Sequence, residues 1–130
     1  MTREDLGRER YVNLATTRRN GREVRTPVWI APDGDRLVVY TNVTSGKVKR
    51  IRNDGRARLA PCDLRGGLQG DWVDATARML DDPADREQGL RAIERKYGWQ
   101  MRLARLAAQL SGRWAQRGVI EISVPMAPGA

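Results

Sequence analysis

The sequence predicts a mainly β fold, a small antiparallel barrel of six strands with flanking helices, and three observations lead there. Short segments alternate apolar and polar residues at period two. Hairpin and turn signals separate them, and helical spacing is confined to residues 45–54 and 83–114. Strands this short favour a barrel, because closure removes exposed edges.

Taken in order, residues 2–9 read as a short polar helix and Tyr11 to Thr16 as the first strand. Asn20-Gly21 then supplies a hairpin signal. The second strand, Glu23 to Ala31, sets Val24, Thr26, Val28 and Ile30 on one face and Arg25 and Trp29 on the other. Pro27 cannot donate a ladder hydrogen bond, so it marks an edge, a bulge or the approach of something other than a strand. Pro32 to Asp35 is a turn, and Leu37 to Thr41 is the third strand. Ser45 to Asp54 reads as a helix, with Ser45 as N-cap and Gly55 at the left-handed C-terminal position. Arg56 to Cys62 and Asp71 to Leu80 are strands four and five.

Pro83 opens a helical region with Leu90, Ile93 and Tyr97 at helical spacing. After Gly98, a second helix carries the stripe Trp99, Leu103, Leu106, Leu110 and Trp114, expected to lie in the core. Gly118 is expected to end it, and Val119 to Val124 is the sixth strand. The tail from Pro125 to Ala130 is expected to fray. The length of 130 residues suits one domain spanning 1–130.

Composition narrows the chemistry. Histidine is absent and Cys62 is the single cysteine, which removes imidazole triads, most transition-metal patterns and any internal disulfide. An enzyme of this composition relies on an organic cofactor, and no metal is assigned. No apolar run reaches the roughly 20 residues that span a bilayer, and the charged N-terminus does not read as a secretory signal; the expected location is the cytoplasm, with no membrane partner. The net charge of +8 favours polyanionic or phosphorylated ligands. Its bearers are overwhelmingly Arg rather than Lys, a skew that codon bias alone also produces.

The segment Thr41 to Arg50 leaves a strand, turns and enters a helix. A helix start offers unpaired N–H groups and a partial positive charge. Thr44 and Ser45 add hydroxyls, Gly46 permits close approach, Lys47 adds a full charge, and Arg50 follows one turn later. Together they suit a phosphate, although a capped helix with a solvated basic face has the same sequence; the P-loop pattern is missing.

Four runs, Thr26-Pro27-Val28-Trp29, Tyr40-Thr41, Ser45 to Arg52 and Ala60-Pro61-Cys62-Asp63, resemble in order and spacing the split-barrel superfamily of pyridoxamine 5'-phosphate oxidase. The likeness runs from about Tyr11 to Leu80 and is closest to the PPOX-class branch that uses coenzyme F420, an 8-hydroxy-5-deazaflavin. It implies a six-stranded antiparallel split β-barrel, FMN-binding-like, that forms a homodimer with cofactor sites at the subunit interface. Thr26, Pro27, Val28 and Trp29 would lie along the ring system, while Tyr40, Thr41 and Asn42 would flank the phosphate end. Ser45, Gly46, Lys47 and Arg50 would hold the phosphate. The implied activity is hydride transfer to an unidentified small organic substrate, with FMN as the alternative cofactor. The basic run Lys47, Lys49, Arg50, Arg52, Arg56 and Arg58, against Asp54 alone, suits an anionic cofactor tail. The C-terminal Arg and His segment of true pyridoxamine phosphate oxidases has no counterpart, which argues against vitamin B6 oxidation. No catalytic residue is assigned.

The competing class is a basic β-barrel that binds single-stranded nucleic acid. With no Phe and three Tyr, the chain is poor in the aromatics such modules stack on bases, so nucleic acid is not the expected partner.

Overall fold

The computed structural model describes residues 2–125; the expected fraying from Met126 onward lies outside them. Seven strands form one antiparallel sheet: β1 (Tyr11–Thr17), β2 (Glu23–Val28), β3 (Ile30–Asp33), β4 (Arg36–Asn42), β5 (Arg56–Cys62), β6 (Val73–Met79) and β7 (Arg117–Ser123). Their order is β2-β1-β5-β6-β7-β4-β3. The helices are α1 (Arg3–Arg8), α2 (Gly46–Asn53), α3 (Pro83–Tyr97) and α4 (Trp99–Leu110), followed by a 3-10 turn, Arg113–Gln116.

The expected six strands become seven because the segment from Glu23 to Ala31 divides at Trp29. The edges of the sheet, β2 and β3, are joined through that one residue, so at this point they lie within roughly 7 Å of each other. The sheet therefore curls back on itself, but no ladder joins β2 to β3 and the barrel stays unclosed. The cause is a tertiary contact. The Ile30 N–H donates to the Tyr97 hydroxyl at 2.9 Å, and Lys96 Nζ donates to the Ile30 carbonyl at 2.6 Å. Tyr97 also stacks on Trp29, with ring centroids 4.6 Å apart. Tyr97→Phe removes an acceptor from a buried N–H and is expected to cost about 1–3 kcal/mol of unfolding free energy, read by denaturant titration.

Inside the curl, Leu14, Ile30, Leu37, Leu59, Ile120 and Ile122 are fully buried, with Leu6 of α1 and Val48 and Ile51 of α2 packed against them. The second cluster lies on the opposite face of β3, β4 and β7, where Val38 and Val119 meet Leu90, Ile93, Tyr97 and Met101 of α3 and α4. Pro27 sits on the edge strand, where a missing donor costs the ladder little.

Three local expectations are corrected. Four of the five stripe residues are not core: Trp99, Leu103, Leu106 and Leu110 are exposed, Leu110 to 81%, and α4 packs instead through Met101 on its other side, while Trp114, on the 3-10 turn, is half-buried against the second cluster. The α4 periodicity is real, but the packed face is the one carrying small residues. The helix ends at Leu110, before Gly112 at φ 77°, while Gly118 is a β7 residue paired with Thr41. A Cβ on Gly118 would lie 2.8 Å from Val43 Cγ1, so close packing explains that glycine. Gly55 is likewise not left-handed: its carbonyl accepts from the Ala77 N–H at 2.8 Å, and its Cβ position lies 3.0 Å from the Ala77 carbonyl oxygen.

Candidate functional site

The start of α2 is built by β4 on one side and β1 on the other. Ser45 occupies the N-cap position in extended conformation, but its hydroxyl faces the Thr41 hydroxyl at 3.3 Å and makes no capping bond. The Thr44 hydroxyl is also committed, donating to Asn42 Oδ1 at 2.7 Å. No acidic residue stands in the first turn. Side chains thus leave the positive end of this helix dipole uncompensated, which favours an anion there.

Arg50 reaches back over this end. Its Nε donates to the buried Thr16 hydroxyl at 2.7 Å, and its Nη1 lies 2.8 Å from where a Cβ on Gly46 would be. Gly46 therefore admits the guanidinium to the helix start. Burial, then the neighbouring Arg18, lower the Arg50 pKa from its ordinary value. The half-buried Lys47 ammonium is lowered too, by burial first and Arg50 second. Cations held this close without an acid raise each other's energy, and a bound anion would relieve it.

Gly46 and Arg50 border a cleft of about 810 Å³, lined also by Thr17 at the end of β1, by Arg18 and Arg19 from the β1–β2 turn and by Lys49, Arg52 and Asn53 from α2. Arg18, Arg19, Lys47, Lys49 and Arg50 make no ion pair among the described residues. The rest of the basic run is neutralised: Arg52 pairs with Asp81, Arg56 with Asp54 and Arg58 with Glu23. Three of the six cations expected to meet an anionic tail are thus paired, and Arg18 and Arg19 stand unpaired beside α2. Sequence reading missed both because they stand in a hairpin turn some 30 residues before α2; the adjacent basic pair was the one available signal.

The remaining candidates lie elsewhere. Thr26, Pro27 and Val28 run along edge strand β2, whose Val24 is opposite Thr16 beside the cleft. At about 3.3 Å per residue, Trp29 stands roughly 16 Å further along. Val28 is buried in the core and Trp29 is stacked on Tyr97, leaving Thr26 and Pro27 the more accessible pair. Strand alternation turns Tyr40 and Asn42 to the opposite face from Thr41, and they border a separate, smaller cleft against α4. Thr41, Ser45, Gly46 and Arg50 are therefore together, with Lys47 beside them, while Tyr40, Asn42 and the β2 residues are apart.

A comparison with known families matches residues 2–124 to the pyridoxamine 5'-phosphate oxidase family model. The chain belongs to that family. Solved structures similar to this member agree on the fold. A conserved hypothetical protein from Mycobacterium tuberculosis is 18% identical with a TM-score of 0.70, over 97% of this chain and 82% of its own. The heme storage protein HutZ from Vibrio cholerae is 13% identical with a TM-score of 0.68, over 95% and 87%. An F420 reductase is 17% identical with a TM-score of 0.61, over 95% and 93%. No curated protein matches the chain in sequence. The family's members include oxidoreductases and flavin-binding proteins, so fold and family alone leave the chemistry of this member open. Among the described residues no helix is long and apolar enough to cross a membrane.

Proposed function

We propose that the chain is a cofactor-binding oxidoreductase that holds the phosphate of a deazaflavin, coenzyme F420, at the start of α2, and works as a homodimer. The observation that carries this reading is the set of five cations, Arg18, Arg19, Lys47, Lys49 and Arg50, that have no ion-pair partner among the described residues and surround an uncapped helix start. Arg50 and the first-turn N–H groups would take the phosphate, and Arg18, Arg19 and Lys49 would guide an anionic tail. Thr26 and Pro27, on edge strand β2, would meet the ring end of a long cofactor. The bound deazaflavin would supply a hydride to an electron-poor carbon of a small organic substrate. FMN is the alternative occupant, since its phosphate suits the same groups. Heme is less favoured, because the chain has no histidine to serve as an axial ligand.

Fluorescence titration of the purified protein with F420, FMN and a single-stranded oligonucleotide tests the reading. Micromolar binding of F420, with FMN weaker, is the expected outcome. Tight and steeply salt-dependent oligonucleotide binding with no response to either cofactor would replace it with the nucleic-acid class. Sedimentation equilibrium is expected to give twice the chain mass of 14.7 kDa.

A further inference from the structure

The smaller cleft lies on the other face of β4 from the phosphate cleft and has a different chemistry. Its floor is small and apolar, made by Ala104 and Ala108 of α4, and its polar rim holds Tyr40, Asn42, Arg113 and Arg117. It measures about 230 Å³, the liquid volume of roughly seven or eight waters. That is room for a small ring or short chain bearing one charged group.

The charge at its rim is unbalanced. No acidic residue occurs between Glu94 and Glu121, a stretch that supplies Arg113, Arg117 and all of α4. Neither Arg113 nor Arg117 makes an ion pair among the described residues. Arg117 is also held in place: its Nη1 donates to the Trp114 carbonyl at 3.0 Å, and its guanidinium lies over the Trp114 ring at 4.8 Å. Arg105 stacks on the same ring, also at 4.8 Å. This leaves the Arg117 Nε, a buried donor, without an acceptor among the described residues. A buried unmet donor is costly to keep and is not itself open to the cleft, so a ligand there meets this fixed guanidinium at its Nη groups, where Arg117 lines the cleft. The Tyr40 hydroxyl is half-buried, near both arginines, and has no hydrogen-bond partner among the described residues; it offers a neutral donor beside the two cations.

The geometry points to a binding site for a small carboxylate with a flat apolar body: the carboxylate on Arg117, Arg113 and the Tyr40 hydroxyl, the body on the α4 alanines. A carboxylate accepts from a guanidinium edge through two parallel bonds, which a spherical anion cannot do. The site is independent of what occupies the phosphate cleft, since Tyr40 and Thr41 point to opposite faces of β4.

The test uses the full chain, 15N-labelled, titrated with sodium benzoate at constant ionic strength. Saturable shifts of the Arg117 Nε–H and Trp114 indole resonances are expected, with a dissociation constant below about 1 mM. Arg117→Gln is expected to weaken binding by about tenfold or more and Tyr40→Phe by about threefold. Arg50→Gln should leave it unchanged, which separates this site from the phosphate cleft. Should Arg117→Gln fail to fold, Arg113→Gln on the exposed 3-10 turn together with Tyr40→Phe gives the same reading. Shifts that grow linearly with benzoate, that benzyl alcohol or chloride reproduces, or that persist at equal affinity in the arginine variants would overturn the proposal.

Discussion

Arg36→Met is expected to lower the unfolding free energy by about 3 kcal/mol, because it strands carboxylates that one guanidinium now serves. Arg36 is only 14% exposed and reaches Asp33 at 2.8 Å, Asp85 at 2.9 Å and Glu121 at 2.9 Å. Asp33 is itself 6% exposed and would keep only long hydrogen bonds from Gln88, while Glu121, 14% exposed, would keep Arg78 alone, so most of the loss falls on Asp33. Burial opposes the Arg36 charge, and these carboxylates more than offset it, raising its pKa. Burial likewise pushes the Glu121 carboxyl up, but hydrogen bonds from Arg78 and Arg36 pull it further the other way, below its ordinary value. Below that ordinary value, and down to the folded one, the unfolded chain binds the proton more readily. Glu121 therefore contributes stability at neutral pH that is lost as pH falls through its folded pKa. Urea denaturation at several pH values checks both statements: the variant should be less stable at pH 7 and should lose less on acidification than the parent. The exposed pair of Arg52 and Asp81 is the control, and Arg52→Met should change stability by under about 1 kcal/mol. If Arg36→Met matched that control, the network would be ornamental.

Arg50→Gln is expected to weaken binding of a phosphate-bearing cofactor by more than tenfold, at least about 1.4 kcal/mol, which isothermal titration with F420 or FMN measures. The effect should exceed that of Lys47→Ala. Both cations are close to the start of α2, but Arg50 lines the cleft and its guanidinium lies against the helix start, whereas Lys47 does not line it. Gly46→Ala provides a check that leaves every charge in place. Its Cβ would stand 2.8 Å from Arg50 Nη1, so the guanidinium must shift and affinity should fall although the net charge does not. Equal affinities for the three variants and the parent would move the phosphate away from α2.

The strands were legible where one face is buried and the other wet. In β6, burial alternates residue by residue as the apolar pattern of Val73 to Met79 requires. The hairpin at Asn20-Gly21 was legible as well, and Gly21 adopts the positive φ of 86° that such turns need. The break at Trp29 was not, because what withdraws Ile30 from β2 is a tyrosine 67 positions away. Nor was the outward stripe of α4: periodicity declares two faces but not which one finds a neighbour, and here Met101 and the alanines do. The same limit applies to the sites. The helix start at Ser45 to Arg50 is a local pattern and could be read. Arg18 and Arg19, and the pairing of Tyr40 with Arg113 and Arg117, exist only once β1 meets α2 and β4 meets β7.

The position of β7 also bears on how the chain reaches this fold. It pairs with β6 on one side and β4 on the other, and its ladders hydrogen-bond the four-stranded part β2-β1-β5-β6 to the hairpin β3-β4. Thr41 must therefore find Gly118 across most of the chain, a closure whose entropy is spent before the contacts repay it. Such topologies fold in milliseconds to seconds rather than microseconds. During synthesis, β4 waits with one edge unpaired until residues 117–123 have emerged, and that interval is when this chain is most exposed to mispairing with another.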